Sequence, residues 1–170
     1  RPFDVVANPD DLPRSIHVSA FDSSPLAAST FVALEGRLAD FQIGIDALAK
    51  LAGEGGVHLG LRSSDTTLAG VKNCRVTYFE GPHPAGNVGV QIHHTAPLNK
   101  GVVVWTMSPQ DVANLGTLLK SGQYIPSRVV ACGGSECKHP QHVLTLSGAS
   151  ISSIVYHNTI QYNTIQYNTI

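Results

Sequence analysis

Three groups of residues have the types and spacings that chemistry could use. The first is Phe79 to Gly89, "FEGPHPAGNVG", with two prolines, three glycines and His83 between a strand-like run and a segment that could begin a helix. A dinucleotide loop needs G-x-G-x-x-G, so that backbone N–H groups and a helix N-terminus converge on phosphate. Gly81, Gly86 and Gly89 do not have that spacing, and Pro82 and Pro84 each remove a donor. The segment therefore reads as a stiff strand-to-helix corner, with a ligand-facing loop tipped by His83 as the sharper alternative. The second group is His93-His94. Adjacent helical residues point about 100° apart and do not share a metal comfortably, so one ring is expected packed and the other exposed. The third is Cys132-x4-Cys137-x-His139-x2-His142, which carries zinc-ligand types within a presumed hairpin. It is crowded and interrupted by Pro140, so the expectation is no metal, with zinc on these four residues as the alternative. No G-x-S-x-G elbow occurs, and Asp22 and Asp111 read as caps near strand ends and helix starts.

The elements that must position these residues alternate. "SIHVSA" (15 to 20) is a strand by its period of two, followed by a turn at Asp22 to Pro25. Phe31, Leu34, Leu38, Phe41, Ile45, Leu48 and Ala52 recur at three and four, which predicts one long helix. Gly53, Gly55 and Gly56 are expected to stop it in a left-handed cap. "VHLGL" (57 to 61) and "CRVTYF" (74 to 79) are further strands, and "VVVWTM" (102 to 107) suits a strand buried on both faces. Ser108-Pro109 opens a helix with Ser as N-cap and Pro at the first position; Val112, Leu115, Leu118 and Leu119 are its expected buried face. This is the rhythm of a parallel α/β sheet. From about Gly122 the character changes, and 127 to 134 and 141 to 148 read as two strands of a hairpin. The chain ends in two tandem QYNTI units after a partial HNTI copy; too short for a repeat fold, they read as a tail foreign to the natural protein.

At 170 residues the chain holds one ordinary domain with a small appendage. Only 14% of its residues are charged, against about 25% in a typical soluble domain. Some of the surface is therefore expected to meet a partner or further chain. A net charge of -1 offers no reason to invoke nucleic acid, and no stretch reaches the roughly 18 apolar residues of a membrane span. Three cysteines do not make a secreted disulfide scaffold and suggest a reducing compartment. The start at Arg1-Pro2-Phe3, without Met or a signal pattern, reads as an excised piece of something longer.

The segment "GPHPAGNVGVQIHH" resembles the A subunit of the bacterial sodium-translocating NADH:quinone oxidoreductase. "RPF" at Arg1, "PLA" at Pro25, "QDV" at Gln110 and "RVV" at Arg128 match in order, so the resemblance spans roughly residues 1 to 149. It implies the middle of a longer polypeptide, with a Rossmann-like domain over 1 to 126 related to the flavin domain of respiratory complex I. The start of a truncated soluble-ligand-binding β-grasp domain follows over 127 to 150, then a partly non-native tail over 151 to 170. It also implies a peripheral place on the cytoplasmic face of the inner membrane, bound to the integral subunits, with no flavin or iron–sulfur cluster and ubiquinone as the ligand in question. The complex would oxidise NADH, reduce ubiquinone and export sodium, the isolated piece being inactive. On this resemblance His83, Pro84, Ala85, Gly86 and His93 are the quinone-binding or partner-facing candidates. The chain departs from the family pattern at His94, where an apolar or aromatic residue is expected, at Cys132 and Cys137, and in the QYNTI tail. A stand-alone nucleotide- or zinc-binding α/β domain is the alternative.

Overall fold

In Ser15–Ser19 every second side chain is apolar, and this alternation sorts the sheet into two unlike faces. The computed structural model describes residues 6–155; the "RPF" start and the QYNTI repeats lie outside them. Strands β1 (Ser15–Ser19), β2 (Gly56–Arg62), β3 (Arg75–Phe79) and β4 (Val104–Met107) form one parallel sheet in the order β3-β2-β1-β4. Partners in register include Ile16 with Val57 and Trp105, and His17 with His58 and Thr106. Ile16, Val18, Val57, Leu59 and Leu61 therefore share one face. Helices α2 (Leu38–Leu51) and α4 (Pro109–Ser121) cover that face, burying Phe41, Ile45, Leu48, Val112 and Ala113 against it. The other face carries Ser15, His17, Ser19, His58, Gly60 and Thr77 and is covered by the eight-residue helix α3 (Val88–Thr95). This is the expected α/β class, with parallel strands and flanking helices.

Several local expectations need correction. The single long helix is two: α1 (Thr30–Ala33) and α2 are separated by a break whose Gly36 has φ 70°. The break turns Phe31 and Leu38 to solvent, while Leu34, Phe41, Ile45 and Leu48 keep the buried stripe. No left-handed cap ends α2: Ala52 is extended, and the N–H groups of Gly53 and Gly55 donate to the carbonyls of Pro13 and Arg14 at 2.9 Å. Glycine is needed there for closeness, since a Cβ would press on those carbonyls. The left-handed cap occurs instead at Gly122, after α4. Strand β4 is a sheet edge, half-buried along its length rather than buried on both faces. On α4 the buried residues are Val112, Ala113, Asn114 and Gly116; Leu115 and Leu118 are half-buried and Leu119 is 56% exposed. The reason is the close crossing of α2, where a Cβ on Gly44 would meet the Val112 carbonyl and one on Gly116 the Asp40 carbonyl.

Beyond α4, β5 (Ser127–Cys132) and β6 (Gln141–Leu146) form a separate antiparallel hairpin, followed by the short α5 (Ile151–Val155). Polar side chains of α4 hold β5. The Gln110 amide accepts from the Val129 N–H at 2.6 Å and donates to the Val129 carbonyl at 3.0 Å. Asn114 donates to the Ser127 carbonyl at 3.0 Å, and Arg37 reaches both Asn114 and Ser127.

Candidate functional site

The chain steps from β1 to β2 to β3 in one direction, then crosses back to place β4 on the other side of β1. In open α/β sheets the crevice beyond the carboxyl ends of strands at such a reversal is where ligands bind. A cavity of about 700 Å³ opens there, beyond Ser19 of β1 and Met107 of β4. Phe21, Val88 and Met107 give it apolar surface, while Asp22, His83, Ser108, Asp111 and Arg128 supply polar groups.

The 80–87 corner forms one wall and is tied to the end of β1. The Gly86 N–H donates to Ser23 Oγ at 2.8 Å, and Ser19 Oγ donates to the Gly86 carbonyl at 3.0 Å. A Cβ on Gly86 would press on the Phe21 carbonyl and the Ser23 N–H, so a side chain there would break the join. Ser23 Oγ also lies 3.1 Å from His83 Nδ1. Because Ser23 Oγ accepts from Gly86, its own proton is available to His83 Nδ1. That pairing favours the tautomer with hydrogen on Nε2, and Nε2 has no protein partner among the described residues. In that tautomer the Nε2–H of His83, a residue lining the cavity, is left to donate. The His83–Pro84 peptide bond is cis, and turn bonds from Ala85 to Pro82 and from Asn87 to Pro84 complete the corner.

Both helix N-termini at the cavity are already capped. Asn87 accepts from the Gly89 N–H at 2.8 Å on α3. On α4, Ser108 Oγ accepts from the Asp111 N–H and donates to the Asp111 carboxylate at 2.6 Å, as the Ser-Pro start predicts. Arg128 pairs with Asp111 at 2.8 Å and so brings the hairpin to the rim. With one N–H of each helix start already taken by its cap, and two carboxylates against one guanidinium, the cavity is poorly suited to phosphate. The first loop after β1, where a dinucleotide fingerprint would stand, reads "AFDSSP" and lacks the glycines as well.

On the sheet's polar face His17 and His58 stack at 4.6 Å between centroids, 17° apart. Ser15 Oγ lies 2.9 Å from His17 Nε2, and His58 Nε2 donates to the Gly55 carbonyl at 3.0 Å. Burial, then His58 and Arg14, lower the His17 pKa to about 4; burial is also the largest cause lowering that of His58. His58 is 7% exposed and its Nδ1 has no partner. A space of about 10 Å³ beside it, bounded by Thr77, Gln91 and Thr95, is close to the size of one water.

Of the sequence candidates, His83 and Gly86 line the cavity, Ala85 is half-buried in the wall and Pro84 is exposed. His93 lies apart on α3, edge-to-face with His94 at 5.2 Å. Both of these rings are exposed, which corrects the expectation that one would pack. Cys132 and Cys137 meet at 3.4 Å, but His142 accepts from the Ser29 N–H at 3.1 Å. No group of three or more His, Cys, Asp or Glu side chains is placed to hold a metal among the described residues. Asp22 accepts from the Ser24 N–H in a local turn, whereas Asp111 does not cap α4 itself: Ser108 does, and the Asp111 carboxylate accepts that cap's hydroxyl. Ser19, Ser23, Thr106 and Arg128 were not singled out by the sequence; the register of β1 with β4 carries Ser19 and Thr106 there, and only the hairpin's docking brings Arg128.

Residues 1–124 match the family model described as the NqrA second alpha/beta domain. The chain belongs to the NqrA family of the Na(+)-translocating NADH-quinone reductases. Relatives named as the A subunit of Na(+)-translocating NADH-quinone reductase agree. The Serratia proteamaculans protein is 39% identical over 156 residues, covering 91% of this chain and 34% of its own length. That of Rhodopirellula baltica is 37% identical over 156 residues, with 91% and 34% covered. That of Glaesserella parasuis is 39% identical over 157 residues, with 91% and 35% covered. The chain thus spans about a third of the length of these NqrA relatives. The resemblance first visible at "GPHPAGNVG" is therefore shown as family membership. Among the described residues no helix is long and apolar enough to cross a membrane.

Proposed function

We propose that this chain is a ligand-facing α/β domain of the NqrA component of a sodium-translocating NADH–quinone reductase, contributing to quinone reduction and to assembly of the complex. The observation that carries this reading is the switch-point cavity, walled by the 80–87 corner and unsuited to phosphate. A quinone ring is neutral, flat and apolar, with carbonyl oxygens that only accept hydrogen bonds. Phe21, Val88 and Met107 would contact its faces and His83 Nε2 would donate to one carbonyl. The dinucleotide and flavin chemistry would belong to other subunits, so this domain would serve as scaffold and quinone wall without a flavin or iron–sulfur cluster of its own. Its low charge content suits contact with those subunits on the cytoplasmic face of the inner membrane. The β5–β6 hairpin, on this reading, is the start of the β-grasp domain that follows.

The test is photo-crosslinking of a quinone analogue to the intact reductase complex containing this chain. Label within residues 79–95, reduced at least about tenfold in His83→Ala, is the expected result. Label confined to other subunits would sink the quinone assignment. Tight, saturable binding of NADH or flavin to this chain alone would overturn the scaffold reading. The isolated chain is expected not to oxidise NADH.

A further inference from the structure

We propose that Cys132 and Cys137 form a dithiol–disulfide site that exchanges with small disulfides of the glutathione class. Cys132 ends β5 and Cys137 lies in the turn before β6, and their sulfurs stand 3.4 Å apart without being joined. A covalent S–S bond is about 2.05 Å long, so closure asks for a movement of only about 1.4 Å. The turn between them can supply it. It contains Gly133 and Gly134, the latter at φ 120°, and neither would bring a Cβ within reach of another group. The Cys137 N–H donates to the Gly134 carbonyl at 3.1 Å, which holds the turn closed with the two thiols facing. Both cysteines are half-buried, so a tripeptide thiol can reach them.

Zinc does not account for the pair, because structural zinc takes about four ligands and His142 is bonded elsewhere. Cys74 provides an internal contrast. It has no cysteine beside it; burial followed by the nearby Asp46 pushes its thiol up, as burial followed by Cys132 pushes up that of Cys137.

The exchange balances in two steps. One protein thiolate attacks a sulfur of glutathione disulfide, forms a mixed disulfide and expels glutathione thiolate. The second protein thiolate attacks the protein sulfur of that mixed disulfide and expels the other glutathione. Two electrons leave the protein sulfurs and reduce one glutathione disulfide, and the two thiol protons end on the two glutathiones. Contact between the sulfurs makes the second step intramolecular and fast relative to a second glutathione capture. The product pins the turn of the hairpin whose Arg128 stands at the cavity rim. The exchange is independent of what occupies that cavity.

The experiment treats the whole chain with glutathione disulfide at stepped ratios to glutathione, quenches with acid, and reads intact mass and peptide maps. The expected product is lighter by about 2 Da, with Cys132 and Cys137 cross-linked and Cys74 unmodified, and dithiothreitol reverses it. Cys137→Ser should instead keep one stable glutathione on Cys132. Two stable glutathione adducts on the wild-type pair, no reaction at either cysteine, or stoichiometric zinc retained by the untreated protein would each overturn the proposal.

Discussion

The two faces of the parallel sheet are built on opposite principles. Toward α2 and α4 every inward residue of β1 and β2 is aliphatic, and the two helices close over them through the glycine crossing at Gly44 and Gly116. Toward α3 the same strands present serine, histidine and glycine, and a single short helix buries Gln91 and Ile92 against them. One face supplies hydrophobic stability. The other buries titratable groups and, at its upper end, gives way to the 80–87 corner and the cavity. Parallel sheets covered on both sides usually carry apolar runs on both. The polar face is therefore where this domain departs from a purely structural design.

Four changes break or sharpen that contrast, starting with the largest. Phe41→Ala, at a fully buried position on the aliphatic face, should cost about 3–5 kcal/mol in urea unfolding, while Gln91→Ala on the polar face should cost well under half of that. Equal losses would erase the distinction. Next comes acid. Unfolded histidine takes up a proton near 6.5, but folded His17 does so only at about 4, so between those values the unfolded state binds more protons. Stability should fall as pH drops through this window, by on the order of 3 kcal/mol, with His58 adding in the same sense. His17→Gln should flatten the slope measured by unfolding at stepped pH; an unchanged slope would show that other groups carry it. Gly86→Ala should cost roughly 1–3 kcal/mol and lower quinone-analogue labelling, because its Cβ would push against the end of β1. Last, Ser108→Ala should lower the melting transition by the equivalent of about 1 kcal/mol, the loss of one helix cap.

Much of the aliphatic face was legible in the sequence, since period two in "SIHVSA" and "VHLGL" and period 3.6 around Phe41 to Leu48 are local signals. The break at Gly36 was not, because the apolar stripe runs through it without a change of phase. The polar face was legible only as alternation. Strand period says that Ser15, His17 and Ser19 share a side, but not that α3 returns from beyond β3 to bury His17 against His58. The corner at 81–89 could be read as unfit for phosphate from its spacing alone. The residues that share the cavity with it, Ser19, Ser108 and Arg128, are distant in the chain and are gathered by strand order and hairpin docking.

The Gln110 amide meets both backbone groups of Val129 as a neighbouring strand would. That side of β5 is thereby closed to another chain, and exposed sheet edges are what invite unwanted pairing. β6 pairs along the other side, so the backbone of Val129 is occupied on one flank and its strand is paired on the other. A single glutamine side chain thus does at Val129 what a backbone partner would do, and occupies a place that a stray strand could otherwise take.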